Sequence, residues 1–431
     1  MTPRSRATGY TATIRFMRTL VLKGLRGGAW LALLAAFGAS PHRLGAQDAL
    51  VRPIASDSIY RLVVDSSAYK DYPFVYLLDD GIVRFDADGR GVQRYHQIVQ
   101  ILKPEGVEAW AEREFSFRPG HTKVTVEWMR VLKPNGALIS DKPTISQASD
   151  IPAAMSNPVY SDTKVLRYSL GGVAVGTLVD ISWTDETTDP FLRGDFVSNW
   201  TTTMAYPAMR SRFVADLPAS MSPKIAERHV DFKRIDETGG GRKFYVWQKQ
   251  SVMPVKGEVI APDSSIPRAS ISIASSLKWN DVARWYSGLA KDRYGLSPRA
   301  VAIVDSVVRT QRTADDTLRA LHKWIAKDIR YVSIALGLSG YQPRFPDSTI
   351  VSGLGDCKDK ATLFIAAARH LGLTAYPVLL NSFGVYDTSL VSINQFDHAI
   401  AAMPKKSGGY TFLDLTTNAF PPDFFGMAAM A

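Results

Sequence analysis

The strongest constraint on the fold is a change of hydrophobic period near residue 277. Before it, apolar residues alternate along short runs, as on the two faces of a half-buried strand. GIVRFDADGRGVQRYHQIVQIL (81–102) sets a DADGRG turn between two such runs, which is a hairpin pattern. TKVTVEWMRVLKPNGALIS (122–140) repeats it, with Val124, Val126 and Trp128 alternating with polar neighbours before a Lys-Pro-Asn-Gly turn. KVLRYSL, GTLVDISW and RKFYVWQKQ continue the style. Turn signals every ten residues or so predict a β-sandwich-like domain over 48–276. Trp110, Trp128, Trp183 and Trp200 are expected to pack its core and edges rather than to stack on sugars.

After 277 the spacing is helical. LKWNDVARWYSGLAKDRYG carries Val282, Trp285, Tyr286 and Leu289 on one face, and Gly295 ends it. Pro298 suits the first position of a second helix. Thr313 can cap a third, whose apolar face is Leu318, Leu321, Trp324 and Ile325. The segment 340–356 reads as a loop. KDKATLFIAAARHLGL then forms a strong helix, and AYPVLLNS, HAIAAM and GYTFLDLT follow as strands. The region 277–431 is therefore an α+β layer of helices on an antiparallel sheet.

Residues 1–46 differ from the rest. They hold seven basic residues, no acidic one, and the apolar run Ala29–Ala39, followed by small and turn residues. That is the plan of a secretory signal peptide, too short in its apolar part for the ~20 residues that span a bilayer. Cleavage near Ala46 is expected, giving an exported, periplasmic or secreted protein, with an uncleaved signal anchor as the alternative. Seven of the ten net positive charges lie in this segment, leaving about +3 on the remainder. The pI of 9.5 thus gives no argument for nucleic-acid binding.

Export makes Cys357 notable, because it is the one cysteine in 431 residues and cannot form an internal disulfide. It lies in GLGDCKDKATL, at a helix start where unpaired N–H groups and the helix dipole favour a thiolate. Gly353 and Gly355 permit the tight approach, and Asp356 is the expected N-cap. Lys358 and Asp359 read as solvated first-turn residues, and a small buried thiol is the plain alternative for Cys357. A nucleophilic Cys needs a base, and the base an orienting group. His96, His121 and His229 fall in the β-rich part, and His322 and His370 on helices. His398 alone opens a strand, and Asp414 lies on the next one.

GDCKDKATLFIAAARHLGL, FDHAIAAM and FLDLTTNAFPP together resemble the core of the transglutaminase-like (papain-like thiol) superfamily. DADGRG, VLKPNGALIS and DTKVLRYSLGGVAVGTLVDISW resemble the uncharacterised β-rich domain that commonly precedes that core in bacterial exported proteins. The two resemblances cover about residues 60–425. They imply Cys357 as nucleophile, His398 as base and Asp414 as orienting acid, with Leu415 where many relatives have Pro. Gln342 in GYQP is the upstream oxyanion candidate, or else a loop glutamine facing water. Such relatives continue further at the C-terminus, so a chain ending FPPDFFGMAAMA reads as a short or truncated form.

The implied activity is cofactor-free, cysteine-dependent acyl transfer on peptide or amide bonds, through a thioester that water or an amine resolves. Cell-envelope peptides are among the available substrates. A non-catalytic envelope binding or assembly protein, with the core as scaffold, is the alternative. There is no H-E-x-x-H, no ligand-spaced histidine set and no phosphate loop to suggest a metal or nucleotide.

Overall fold

The computed structural model describes residues 52–146, 148–150, 159–202, 205–254, 269–382 and 387–417. The signal-peptide reading of 1–46 and the FPPDFFGMAAMA end lie outside the described residues.

The DADGRG turn joins strands Phe74–Phe85 and Gly91–Ile101, the hairpin at the centre of an eight-stranded sheet. Asp86 N–H donates to Arg90 O at 2.8 Å across the turn. Gly89 has φ 87°, and a Cβ there would meet Asp195 O at 2.7 Å, so a larger residue fits neither the backbone nor the space. The strand order is Lys233–Gly239, Arg242–Val252, Ala208–Pro218, Phe74–Phe85, Gly91–Ile101, Leu178–Thr187, Thr122–Leu132, Leu138–Ser140. Pairing is antiparallel except between Phe74–Phe85 and Ala208–Pro218, which run parallel.

Strand alternation puts one apolar face of this sheet under two smaller sheets. Strands Val197–Thr201, Ser270–Ala274 and Lys224–Arg228 close a core of Val83, Phe85, Phe213, Trp247 and Ile273. Glu112–Phe117, Lys164–Ser169 and Thr144–Ile145 close a second, around Val99, Val131, Val179 and Ile181. Tyr76 and Tyr95 touch both cores and mark the seam. Trp110, Trp183 and Trp200 are buried in this sandwich, as core packing requires. On the opposite face Asp180 is fully buried. It accepts from Tyr60 Oη (2.5 Å), Trp128 Nε1 (2.8 Å) and Arg130 Nε and Nη2 (3.0 and 2.8 Å), with His96 Nε2 at 2.9 Å. Burial alone would raise its pKa; the hydrogen bonds, led by His96, hold it below the usual carboxylate range.

The second region places helices Trp279–Ala290, Pro298–Val308, Ala314–Asp328 and Pro346–Ser352 around a central helix, Cys357–His370. The antiparallel sheet Tyr376–Leu380, His398–Pro404, Tyr410–Leu413 completes it, making the chain α+β. Leu363, Phe364, Ala367 and Ala368 meet Leu321, Ile325, Ala401 and Leu413 in its core. One expected loop is partly helical: in 340–356, Pro346 opens a helix that Gly353 ends at φ 65°. Seven residues are too few for a helical period to show in sequence.

The two regions are joined through the backbone. Val159–Ser161 of the β-rich part pairs in parallel with Ser333–Ala335. Beside this joint Asp162 Oδ2 accepts from Gly337 N–H at 2.7 Å. Trp285 Nε1 donates to Phe191 O at 3.0 Å. Asp195 Oδ2 accepts from Ser392 Oγ and Ile393 N–H at 3.0 and 3.1 Å.

Candidate active site

Cys357 is the first residue of the central helix, partly exposed. Asp356 caps it: its Oδ1 accepts from Asp359 N–H at 3.2 Å, while Asp359 Oδ2 accepts from Asp356 N–H at 3.4 Å. The expectation that Lys358 and Asp359 are solvated is overturned, since they are 6% and 1% exposed. The helix is covered nearly all round, so its polar first turn is buried with it. Asp359 is held by Arg344, whose N–H and Nε donate at 2.8 Å each, while Nη2 donates to Leu354 O. Lys358 pairs with Asp356. Burial pushes the Asp356 carboxyl up, and Lys358 opposes that.

His398 begins its strand, paired with Leu380, and Asp414 follows Leu413 at the end of the neighbouring one. His398 Nε2 lies 3.0 Å from Asp414 Oδ2, and His398 and Cys357 line the same cleft. Thus the fold gathers Cys357, His398 and Asp414 at one place, with His398 and Asp414 hydrogen-bonded. Burial favours the neutral imidazole, but Asp414 and Cys357 outweigh it and lift the His398 pKa to about 10. Burial likewise opposes ionisation of Asp414, yet His398 and Thr416 bring it down to about 2. The His–Asp contact is therefore an ion pair throughout the neutral range.

Asp414 is fixed by two residues that sequence reasoning missed. Its Oδ1 accepts from Thr416 N–H at 2.9 Å and Oγ1 at 2.6 Å, a local turn that the D-x-T spacing could have signalled. Its backbone carbonyl accepts from His322 Nε2 at 2.8 Å, and burial lowers the His322 pKa. Lys360, 1% exposed, donates to Ile329 O (2.9 Å) and Ala326 O (3.3 Å) at the end of the helix that carries His322. Burial lowers its pKa to about 8, with Asp414 opposing.

Gln342 is not brought to this chain. Its side-chain amide donates to Leu289 O at 3.2 Å, and it does not line the cleft at the sulfur. It braces the helix Trp279–Ala290, while the Cys357 N–H stands in the first turn of its helix, where backbone donors have no intrahelical partner. The cleft encloses about 280 Å³ beside Cys357 and His398. Trp285, Tyr286, Tyr341 and Phe396 form apolar walls, and Arg118 enters from the β-rich region. Among the described residues no cluster of three His, Cys, Asp or Glu could hold a metal, and no helix is long and apolar enough to cross a membrane.

Two family models match the chain in the order read from its sequence. Residues 87–256 match a domain of unknown function, DUF3857, and residues 301–411, which include Cys357 and His398, match the transglutaminase-like superfamily. A solved structure from Parabacteroides distasonis, described as a candidate protease, is similar over 81% of this chain and 68% of its own. It has a TM-score of 0.63 at 13% identity, a likeness of fold. A candidate cysteine protease from Cytophaga hutchinsonii is 16% identical over 52% of this chain and 78% of its own, with a TM-score of 0.25. An M1 zinc metallopeptidase from Deinococcus radiodurans is 10% identical over 47% and 42%, with a TM-score of 0.27. No curated protein matches the chain.

Proposed function

For a chain that carries a DUF3857 domain followed by a transglutaminase-like core, we propose cysteine-dependent acyl transfer on peptide or amide bonds. The observation that carries this reading is Cys357 at a helix N-terminus sharing a cleft with His398, which is itself hydrogen-bonded to Asp414 at 3.0 Å. The Cys357 thiolate attacks the substrate carbonyl carbon, forming the S–C bond and moving the carbonyl electron pair onto oxygen. The Cys357 N–H, aimed outward at the helix start, supports that charge. His398, protonated at neutral pH, gives its proton to the leaving nitrogen as the C–N bond breaks, and a thioester remains. A water or an amine, deprotonated by His398, then attacks the thioester carbonyl; the C–S bond breaks, the acyl group leaves as acid or amide, and the Cys357 thiolate is restored beside the reprotonated His398. Asp414 holds the ring and its charge throughout.

The pH profile of iodoacetamide alkylation at Cys357, in the wild type and in His398→Ala, tests the pairing. An imidazolium beside sulfur favours the thiolate, and His398 keeps its proton up to about pH 10. Alkylation in the wild type is therefore expected to stay fast at pH 6, and in the variant to fall at least ~10-fold there while recovering near pH 9. Identical profiles in the two proteins would sink the pairing and leave a scaffold for binding.

Export belongs to the same proposal, supported by the basic, then apolar, then small-residue order of 1–46. N-terminal sequencing of protein recovered from outside the cytoplasm is expected to begin near Gln47. Recovery only of full-length protein inside the cytoplasm would contradict it.

A further inference from the structure

A second cavity, of about 180 Å³, lies between the two regions and shares Arg118, Tyr341 and Ile393 with the catalytic cleft. Two buried polar atoms on its walls have no hydrogen-bond partner among the described residues: Thr122 Oγ1 and Asp195 Oδ1. Orphaned buried groups cost roughly 1–3 kcal/mol each, so two facing one space point to an occupant. One bridging water, which needs only ~10–15 Å³, would not fill it.

The charges are of both signs. Asp195 is 6% exposed; one oxygen holds Ser392 and Ile393, and the other is left without a partner. Arg118 Nε is ion-paired with Asp162 Oδ1 at 3.3 Å, and its guanidinium lies over Phe191. Arg118, Asp195 and Tyr341 all line this one cavity, so a cation and an anion face the same space. His121, tied to Asp189 O at 2.7 Å, and Gln93 complete a polar lining.

We propose that this cavity binds a zwitterionic α-amino-acid group, its ammonium against Asp195 and its carboxylate against Arg118. Such a group is a free amino acid, or the free α-amino-acid end of a residue linked to a peptide through its side chain. Burial already pushes the Asp195 carboxyl up to about 6, a strain that a bound ammonium relieves. The binding stands without the acyl-transfer reading; only its use as a substrate subsite rests on it.

Calorimetric titration of the full chain carrying Cys357→Ala with alanine, N-acetylalanine and alaninamide tests the proposal. Alanine is expected to bind saturably, and each blocked form at least ~10-fold more weakly, as loss of a charged hydrogen bond requires. Asp195→Asn keeps an oxygen for Ser392 and Ile393 and is expected to weaken alanine at least ~10-fold without lowering Tm; Arg118→Met gives the same loss if that variant fails to fold. No saturable binding of alanine, equal binding of the blocked forms, or full affinity in the variant that folds overturns it. In the wild type, alanine that competes with a substrate amide formed through the side chain of a residue with free α-amino and α-carboxyl groups assigns the cavity to that end. Alanine that binds without competing assigns it to a free amino acid. Absence of any amide turnover would count against the acyl-transfer reading alone, because the titration is read separately.

Discussion

Replacing Cys357 by serine is expected to lower turnover of a peptide amide by roughly 10⁴-fold while leaving Tm within about 1 °C. The size follows from the division of labour in the site. His398 and Asp414 form an ion pair through neutral pH, so the ring offers sulfur a proton donor, not a free base. A cysteine beside an imidazolium can rest as the thiolate and attack directly; a serine hydroxyl, a far weaker acid, stays protonated with no free base to activate it. The small effect on stability follows from position: the side chain is partly exposed at the cleft, outside the Leu363–Phe364 core. Steady-state assay beside a thermal melt decides it. Retained turnover in a folded Cys357→Ser protein would remove Cys357 from the chemistry.

Asp359→Ala should have the largest effect on folding, a loss of about 3 kcal/mol in urea unfolding. Alanine removes the acceptor of Arg344 N–H, Arg344 Nε and Asp356 N–H together. It also leaves the Arg344 guanidinium, 30% exposed, without the carboxylate it pairs with at the buried helix start. Breaking one side of such a pair costs more than forming it gained. Asp359→Asn retains an oxygen for Arg344 N–H and should lose about half as much. A loss below about 1 kcal/mol for alanine would mean that the loop ending at Leu354 is pinned by other contacts.

Much of this was legible because it was local. The change of period near 277 lies between the last strand of the sandwich, Ser270–Ala274, and the helix beginning at Trp279. Thr313 caps its helix through Asp316 N–H at 3.1 Å, as a Thr before two aspartates suggests. Cys357, His398 and Asp414 could be ordered along the chain because each stands at an element's end.

What escaped depends on distant partners. The polar run KDK gives no sign of burial, since Lys360 answers carbonyls 31 and 34 residues earlier. Gln342 donates to Leu289 O, 53 residues earlier, a contact that no local pattern announces. Arg118 reaches the cleft from another domain, and no spacing rule connects it to Cys357.

The parallel joint between Val159–Ser161 and Ser333–Ala335 bears on the order in which the molecule is assembled. Its partners are more than 170 residues apart, whereas Cys357, His398 and Asp414 fall within one stretch of fewer than 60. Closing the long loop is the slower event, because chain entropy is spent before the distant contact repays it. Cys357, His398 and Asp414 can thus come together first, with the cleft walls of Trp285, Tyr286, Tyr341 and Phe396 around them. Arg118, carried by the sandwich, is then the last lining residue to arrive.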